Sequence, residues 1–60
     1  MKQGDLVLKA NMWDVDGNPI GFGHSVYKID EIEDNIACVY DYPHMDGFYI
    51  VDIKDLKLYI

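Results

Sequence analysis

The chain has no arginine and only one cysteine, Cys38, and each scarcity excludes something. A single cysteine cannot form an internal disulfide, which fits a reducing compartment. Proteins that bind nucleic acid neutralise phosphates with Lys and Arg, and arginine supplies the bidentate contacts. Here five lysines face eleven acidic residues, for a formal charge of −6, so direct nucleic-acid binding is disfavoured. No apolar run approaches the ~20 residues of a membrane helix. The start Met1-Lys2-Gln3-Gly4 lacks the apolar core of a signal peptide. These absences predict a cytoplasmic protein with no membrane partner. No segment sustains a 3.6-residue period, so no long helix is expected. There is no repeat, linker or low-complexity tract, and residues 1–60 read as one domain.

Half of the residues are apolar and five are tyrosines, which marks a folding sequence rather than a disordered one. A chain this short buries only about 60% of its unfolded surface. Its core is expected to contribute no more than roughly 3–5 kcal/mol.

The stretch Val26–Tyr42, VYKIDEIEDNIACVYDY, organises the chain. It reads as two strands that reverse at the acidic run Asp30-Glu31-Ile32-Glu33-Asp34-Asn35, where Asn35 tolerates left-handed geometry. In the second arm Ile36, Cys38 and Tyr40 share one face, and Ala37, Val39 and Asp41 the other. Asp41 marks the second face as the wetter one at its far end, yet Ala37 and Val39 are apolar, so neither face is expected to be fully solvated. Val26 and Ile29 have opposite parity, which a β-bulge would reconcile.

The other segments cover this hairpin. Leu6–Met12 reads as the first strand, closed by Trp13, with Leu6, Leu8, Ala10 and Met12 as its apolar face. A long loop is expected from Asp14 through Ser25, opening on dense turn chemistry at Asp14–Pro19. Gly21 and Gly23 flank Phe22 there and suggest unusual backbone angles. Pro43–Gly47 is a tight reversal, Phe48–Ile53 the fourth strand, Lys54-Asp55-Leu56 a helical turn and Lys57–Ile60 the last strand. The expected core is Leu6, Leu8, Val26, Ile29, Cys38, Val51, Ile53 and Leu56. Five short strands in sixty residues predict an all-β fold, a five-stranded antiparallel barrel whose closure would remove its edges.

Gly4-Asp5-x-Val7, then Gly21 and Gly23, then Val26-x-x-Ile29-Asp30, is similar to the opening of KOW-type SH3-like barrels. The ending Val51-Asp52-Ile53-Lys54-Asp55-Leu56-Lys57-Leu58 resembles their strand, one-turn helix and last strand. The resemblance spans nearly the whole chain on generic motifs. It implies an SH3-like barrel with a long loop after the first strand and a one-turn helix before the last. Such barrels occur in ribosomal and transcription proteins, chromatin readers and small phage-encoded proteins. KOW members bind RNA or polymerase through basic loops, and this chain departs from them in charge.

The constellations that carry chemistry are weak. Asp14-x-Asp16-Gly17-Asn18 begins like a calcium loop, but glycine stands fourth rather than sixth and the twelfth residue is Ser25, so a hydrogen-bonded turn is expected. His24, Cys38 and His44 are too scattered for a zinc site. Cys38 reads as a small buried hydrophobe, and the two histidines as solvated loop residues. No cofactor or metal is expected, and an enzyme is the least favoured reading.

The carboxylates gather at Asp14 and Asp16, from Asp30 to Asp34, and at Asp41 and Asp46. Read as a surface, they suggest a small acidic interaction module, an inhibitor or accessory protein that engages a basic partner by imitating phosphates. Asp30, Glu31, Glu33 and Asp34 would steer the partner, with Asp14 and Asp16 as a second row. Trp13, Phe22 and Tyr42, beside loops, would anchor it. One alternative is a self-associating assembly subunit, a homodimer through the apolar faces of Ile36–Tyr40 or Phe48–Ile53. The further alternative is a KOW-like nucleic-acid module.

Overall fold

A computed structural model describes all of residues 1–60. Five strands form one antiparallel sheet: β1 (Leu6–Trp13), β2 (Pro19–Glu33), β3 (Ile36–Asp41), β4 (Phe48–Asp52) and β5 (Leu56–Leu58). A single 3-10 turn, η1 (Ile53–Asp55), joins β4 to β5. The strand order is β4-β3-β2-β1-β5, and no ladder joins the two ends. The sheet is therefore open, and the closure expected from the sequence is absent. No helix is long and apolar enough to cross a membrane.

The core lies on one face and comprises Val7, Ile29, Ala37, Val39 and Leu56, with Tyr27, Ile32, Val51 and Ile53 packed around it. Val51 on β4 and Leu56 on β5 belong to opposite edges yet share this cluster, so the sheet curls over its own core. Of the expected core, Ile29 and Leu56 are buried and Val51 and Ile53 line the cluster, whereas Leu6, Leu8, Val26 and Cys38 are only half-buried.

The parity error has a physical cause on each strand. On β3, Ala37 and Val39 face inward and Cys38 faces outward, the reverse of the reading that took Asp41 as a mark of the wetter side. Asp41 stands at the end of the strand, beyond the core, where a carboxylate reaches water without turning the face polar. On β1, Val7 is fully buried and Lys9 pairs with Leu56 on the same side. The Lys9 ammonium lies 5.2 Å from the Tyr27 ring centre and 4.2 Å from that of Tyr49. Its alkyl stem thus covers the rim of the core while cation–π contacts hold its charge.

The expected long loop is mostly strand. β2 begins at Pro19, and only Asp14–Asn18 turns the chain. The β1–β2 ladder shifts register three times, between Leu8 and Ala10, Ala10 and Met12, and Met12 and Trp13. Gly21 belongs to this irregular stretch because a Cβ there would stand 3.3 Å from both Asn11 Oδ1 and Met12 Cβ. Neither Gly21 nor Gly23 has positive φ; the left-handed glycines are Gly4 and Gly17. Gly21 therefore serves close strand approach rather than an unusual backbone angle, while a Cβ at Gly23 would meet only ordinary contacts at 3.8 Å.

The central hairpin is also longer than expected. Glu33 pairs with Ile36, so the turn shrinks to Asp34-Asn35, and Asp34, not Asn35, is left-handed at φ 54°. The bulge falls at Asp30, where Ile29 pairs with Val39 and Glu31 with Cys38. Asp30 is the extra residue, and it places Ile29 and Ile32 on the core side together. No shift lies between Val26 and Ile29, where the sequence suggested one.

Candidate functional site: an acidic and apolar groove on the outer sheet face

The bulge at Asp30 also decides what the opposite face carries. Directly paired residues of an antiparallel ladder share a face. Glu31 with Cys38 and Glu33 with Ile36 therefore stand on the outer side, and Cys38 and Ile36 in turn pair with Ile50 and Asp52 of β4. The result is a groove of about 310 Å³ lined by Glu31, Glu33, Asp34, Ile36, Cys38 and Ile50. Three carboxylates form one wall, and two isoleucines with a thiol form the other. Ile50 is 65% exposed and Phe48, two residues away on the same face, 54%. Phe48 packs at a tilt against Tyr40, ring centres 5.4 Å apart, and extends the apolar strip along β3 and β4.

No lysine lines this groove. Lys2 pairs with Asp5 at 3.1 Å and Lys54 with Asp55 at 2.9 Å. Lys9 is held over Tyr27 and Tyr49, and Lys57 lies 5.1 Å from the Phe22 ring centre. Lys28, the fifth lysine, pairs with Tyr40 on the outer face at the far end of the apolar strip, and neither ion pair involves Glu31, Glu33 or Asp34.

The remaining candidate residues do not join this surface. Asp30, exposed at the bulge, does not line the groove. Asp14 is spent on its own turn: its Oδ1 accepts the amide N–H groups of Asp16 and Asn18, each at 2.9 Å. The bond from Asn18 contributes most to holding the Asp14 carboxyl below the usual carboxylate range. Asp16 is exposed at the same turn. Trp13 is 45% exposed, but its indole N–H donates to Asp55 Oδ1 at 2.9 Å, tying β1 to η1. Phe22 is half-buried under Lys57.

Tyr42 lies in a second, more open groove of about 500 Å³ with His24, Ser25, Val26, Asp41, His44 and Asp46. The sequence put His24 in a loop; it is an exposed residue of β2. No three His, Cys, Asp or Glu side chains are grouped so as to hold a metal ion. Tyr27, inside the curl, has its hydroxyl pKa raised, first by burial and then by Asp41 and Tyr49.

Ile36, Cys38 and Ile50 are not among the residues that the sequence marks for a basic partner; apart from the acidic row, it assigns the faces of Ile36–Tyr40 and Phe48–Ile53 to self-association instead. Their signal was the apolar alternation on both faces of the third and fourth strands, one face more than a single core uses. No family model, no characterised protein and no solved structure compared with this chain matches it.

Proposed function

We propose that this protein is a non-catalytic interaction module whose outer face docks a basic segment with an apolar side, belonging to another protein. The observation that carries the reading is the meeting of Glu31, Glu33 and Asp34 with Ile36, Cys38 and Ile50 in one groove. Acidic clusters on a protein of charge −6 attract a cationic partner over long range and raise its association rate. The apolar wall adds desolvated contact, which slows dissociation. A surface that binds in this way is suited to occupy a nucleic-acid-binding site on its partner, as an inhibitor or accessory protein would. Five antiparallel strands with one 3-10 turn before the last support the SH3-like part of the reading.

The test replaces Glu31, Glu33 and Asp34 together by their amides; Asp34→Asn keeps a side chain that tolerates positive φ. Association with a partner captured from host lysate is then followed by stopped flow across a salt series. The expected result is a roughly tenfold slower association at low salt and a flatter salt dependence. An unchanged rate and slope in a folded variant would reduce this acidic row to a solvated rim.

A further inference from the structure

We propose that a second copy of the chain adds to the open edge of β4, antiparallel, about a two-fold axis at Ile50. β4 pairs with β3 on one side and with nothing on the other. Two hydrogen bonds outside the regular ladder fix which groups face that edge. Asp41 N–H donates to Gly47 C=O at 3.1 Å, and Ile53 N–H to Asn35 C=O at 2.8 Å. These pairs continue the register in which Val39 faces Tyr49 and Ala37 faces Val51. Residues 47, 49, 51 and 53 therefore turn their backbone groups toward β3. By the alternation of an antiparallel ladder, Phe48, Ile50 and Asp52 turn theirs outward.

The outward groups are self-complementary. An axis at Ile50 sets Ile50 against the partner's Ile50, and Phe48 against the partner's Asp52. Each pair can exchange both of its N–H to C=O bonds, as a hydrogen-bonded antiparallel pair requires. Beyond the ends of the new ladder, the same axis sets the segment that carries Asp46 on the side of the partner's η1, which carries Lys54, so opposite charges flank the ladder at both ends. Lys54 is about half exposed at its side chain; Asp55 Oδ1 and Gly17 C=O take two of its three donors, which leaves one for the partner.

Only Asp52, at the end of β4, guards this edge. Phe48, Tyr49, Ile50 and Val51 carry no charge and no proline, and β4 has no bulge against β3. Edge strands are ordinarily guarded by shortness, lysines, proline or bulges. The other edge fits that rule, because β5 has only three residues and Lys57 at its centre. Phe48, Tyr49 and Ile50 are 54%, 39% and 65% exposed, so pairing covers apolar surface on both faces of the sheet. A second copy is the occupant that satisfies all these features, since the strand complements itself in backbone pattern, apolar content and flanking charge.

The test uses the intact wild-type chain. Sedimentation equilibrium is run from low to high micromolar concentration at about 0.05 M and about 0.5 M salt, the higher value screening repulsion between two chains of charge −6. Amide exchange is read at both ends of the concentration range. The expected result is a dimer that strengthens with salt, the opposite sign to the groove's attraction for a cationic partner. Phe48, Ile50 and Asp52 amides should gain at least tenfold protection with concentration, while Tyr49 and Val51, already bonded to β3, change little. Ile50→Pro removes the donor on the axis and leaves the β3 ladder whole, so it should weaken the dimer at least tenfold without altering the dichroism spectrum. A monomer at high micromolar concentration in high salt overturns the proposal. So does a dimer whose Phe48, Ile50 and Asp52 amides exchange as fast as in dilute solution, whether or not the proline variant folds.

Discussion

Asp55 shows how one side chain can tie distant parts of a small chain. It accepts from the Trp13 indole at 2.9 Å and from Lys54 Nζ at 2.9 Å, and Lys54 also reaches Gly17 C=O at 3.1 Å. The turn between β1 and β2 is thereby pinned to η1. The indole bond, and then the Lys54 bond, hold the Asp55 carboxyl below its ordinary 3.8. Asp5 is lowered as well, chiefly by the Lys2 backbone N–H, and Asp14 by that of Asn18. A depressed folded-state pKa means that the unfolded chain takes up protons first as pH falls. The stabilisation is complete well above 3.8 and disappears as pH drops through the lower folded values. The melting temperature should therefore be flat near neutrality and fall on acidification below about pH 4. Trp13→Phe keeps the ring and removes the donor. It should cost about 1 kcal/mol at neutral pH, in keeping with one hydrogen bond to a partly exposed charge. It should also make the acid limb shallower, as followed by thermal dichroism at several pH values.

At the scale of the element, the bulge at Asp30 is the decisive feature. Without it Ile29 and Glu31 would share a face, and either the core would receive a carboxylate or the groove would lose one. The extra residue lets β2 serve the core with Ile29 and Ile32 and the outer face with Glu31 and Glu33. On β3 the same division predicts a contrast between neighbours. Val39 is fully buried, so Val39→Ala should cost about 2 kcal/mol through lost burial and the cavity left behind. Cys38 is only half-buried on the groove side, and Cys38→Ala should cost less than about 1 kcal/mol. Urea denaturation midpoints of the two variants check the order. Equal costs would mean that the inward face has been assigned wrongly.

For the whole molecule the governing balance is a small core against a large charge. Only six residues are buried, while the formal charge is −6. Self-repulsion of that kind opposes the compact state and is screened by salt. The melting temperature should rise by several degrees between about 0.02 M and 0.5 M sodium chloride, a range over which the Debye length shrinks severalfold. The triple amide variant at Glu31, Glu33 and Asp34 should melt higher than the wild type at low salt and approach it at high salt. Differential scanning calorimetry would show this. A lower melting temperature in that variant would mean that these carboxylates support the fold itself rather than the surface.

The residue order alone determined that the chain is all-β with five strand segments, because alternating β-branched and aromatic residues bounded by Asn, Asp, Gly and Pro have few other stable arrangements. It did not determine the extent of β2, which takes in Pro19–Ser25 and Asp30–Glu33. It also determined the acidic surface, since charge is a sum over residues that folding does not change. The side of each strand that faces the core was not legible. One inserted residue at Asp30, or a lysine such as Lys9 lying along the core rim, reverses or masks the alternation from which faces are read. Whether the sheet closes was equally hidden, because closure depends on a ladder between β4 and β5 that neither strand specifies locally. Tertiary structure made both decisions: the core took the inward parity that buries Val7, Ala37 and Val39 together. The excess apolar side chains of β3 and β4 were left beside the acidic row, and the edge of β4 was left open.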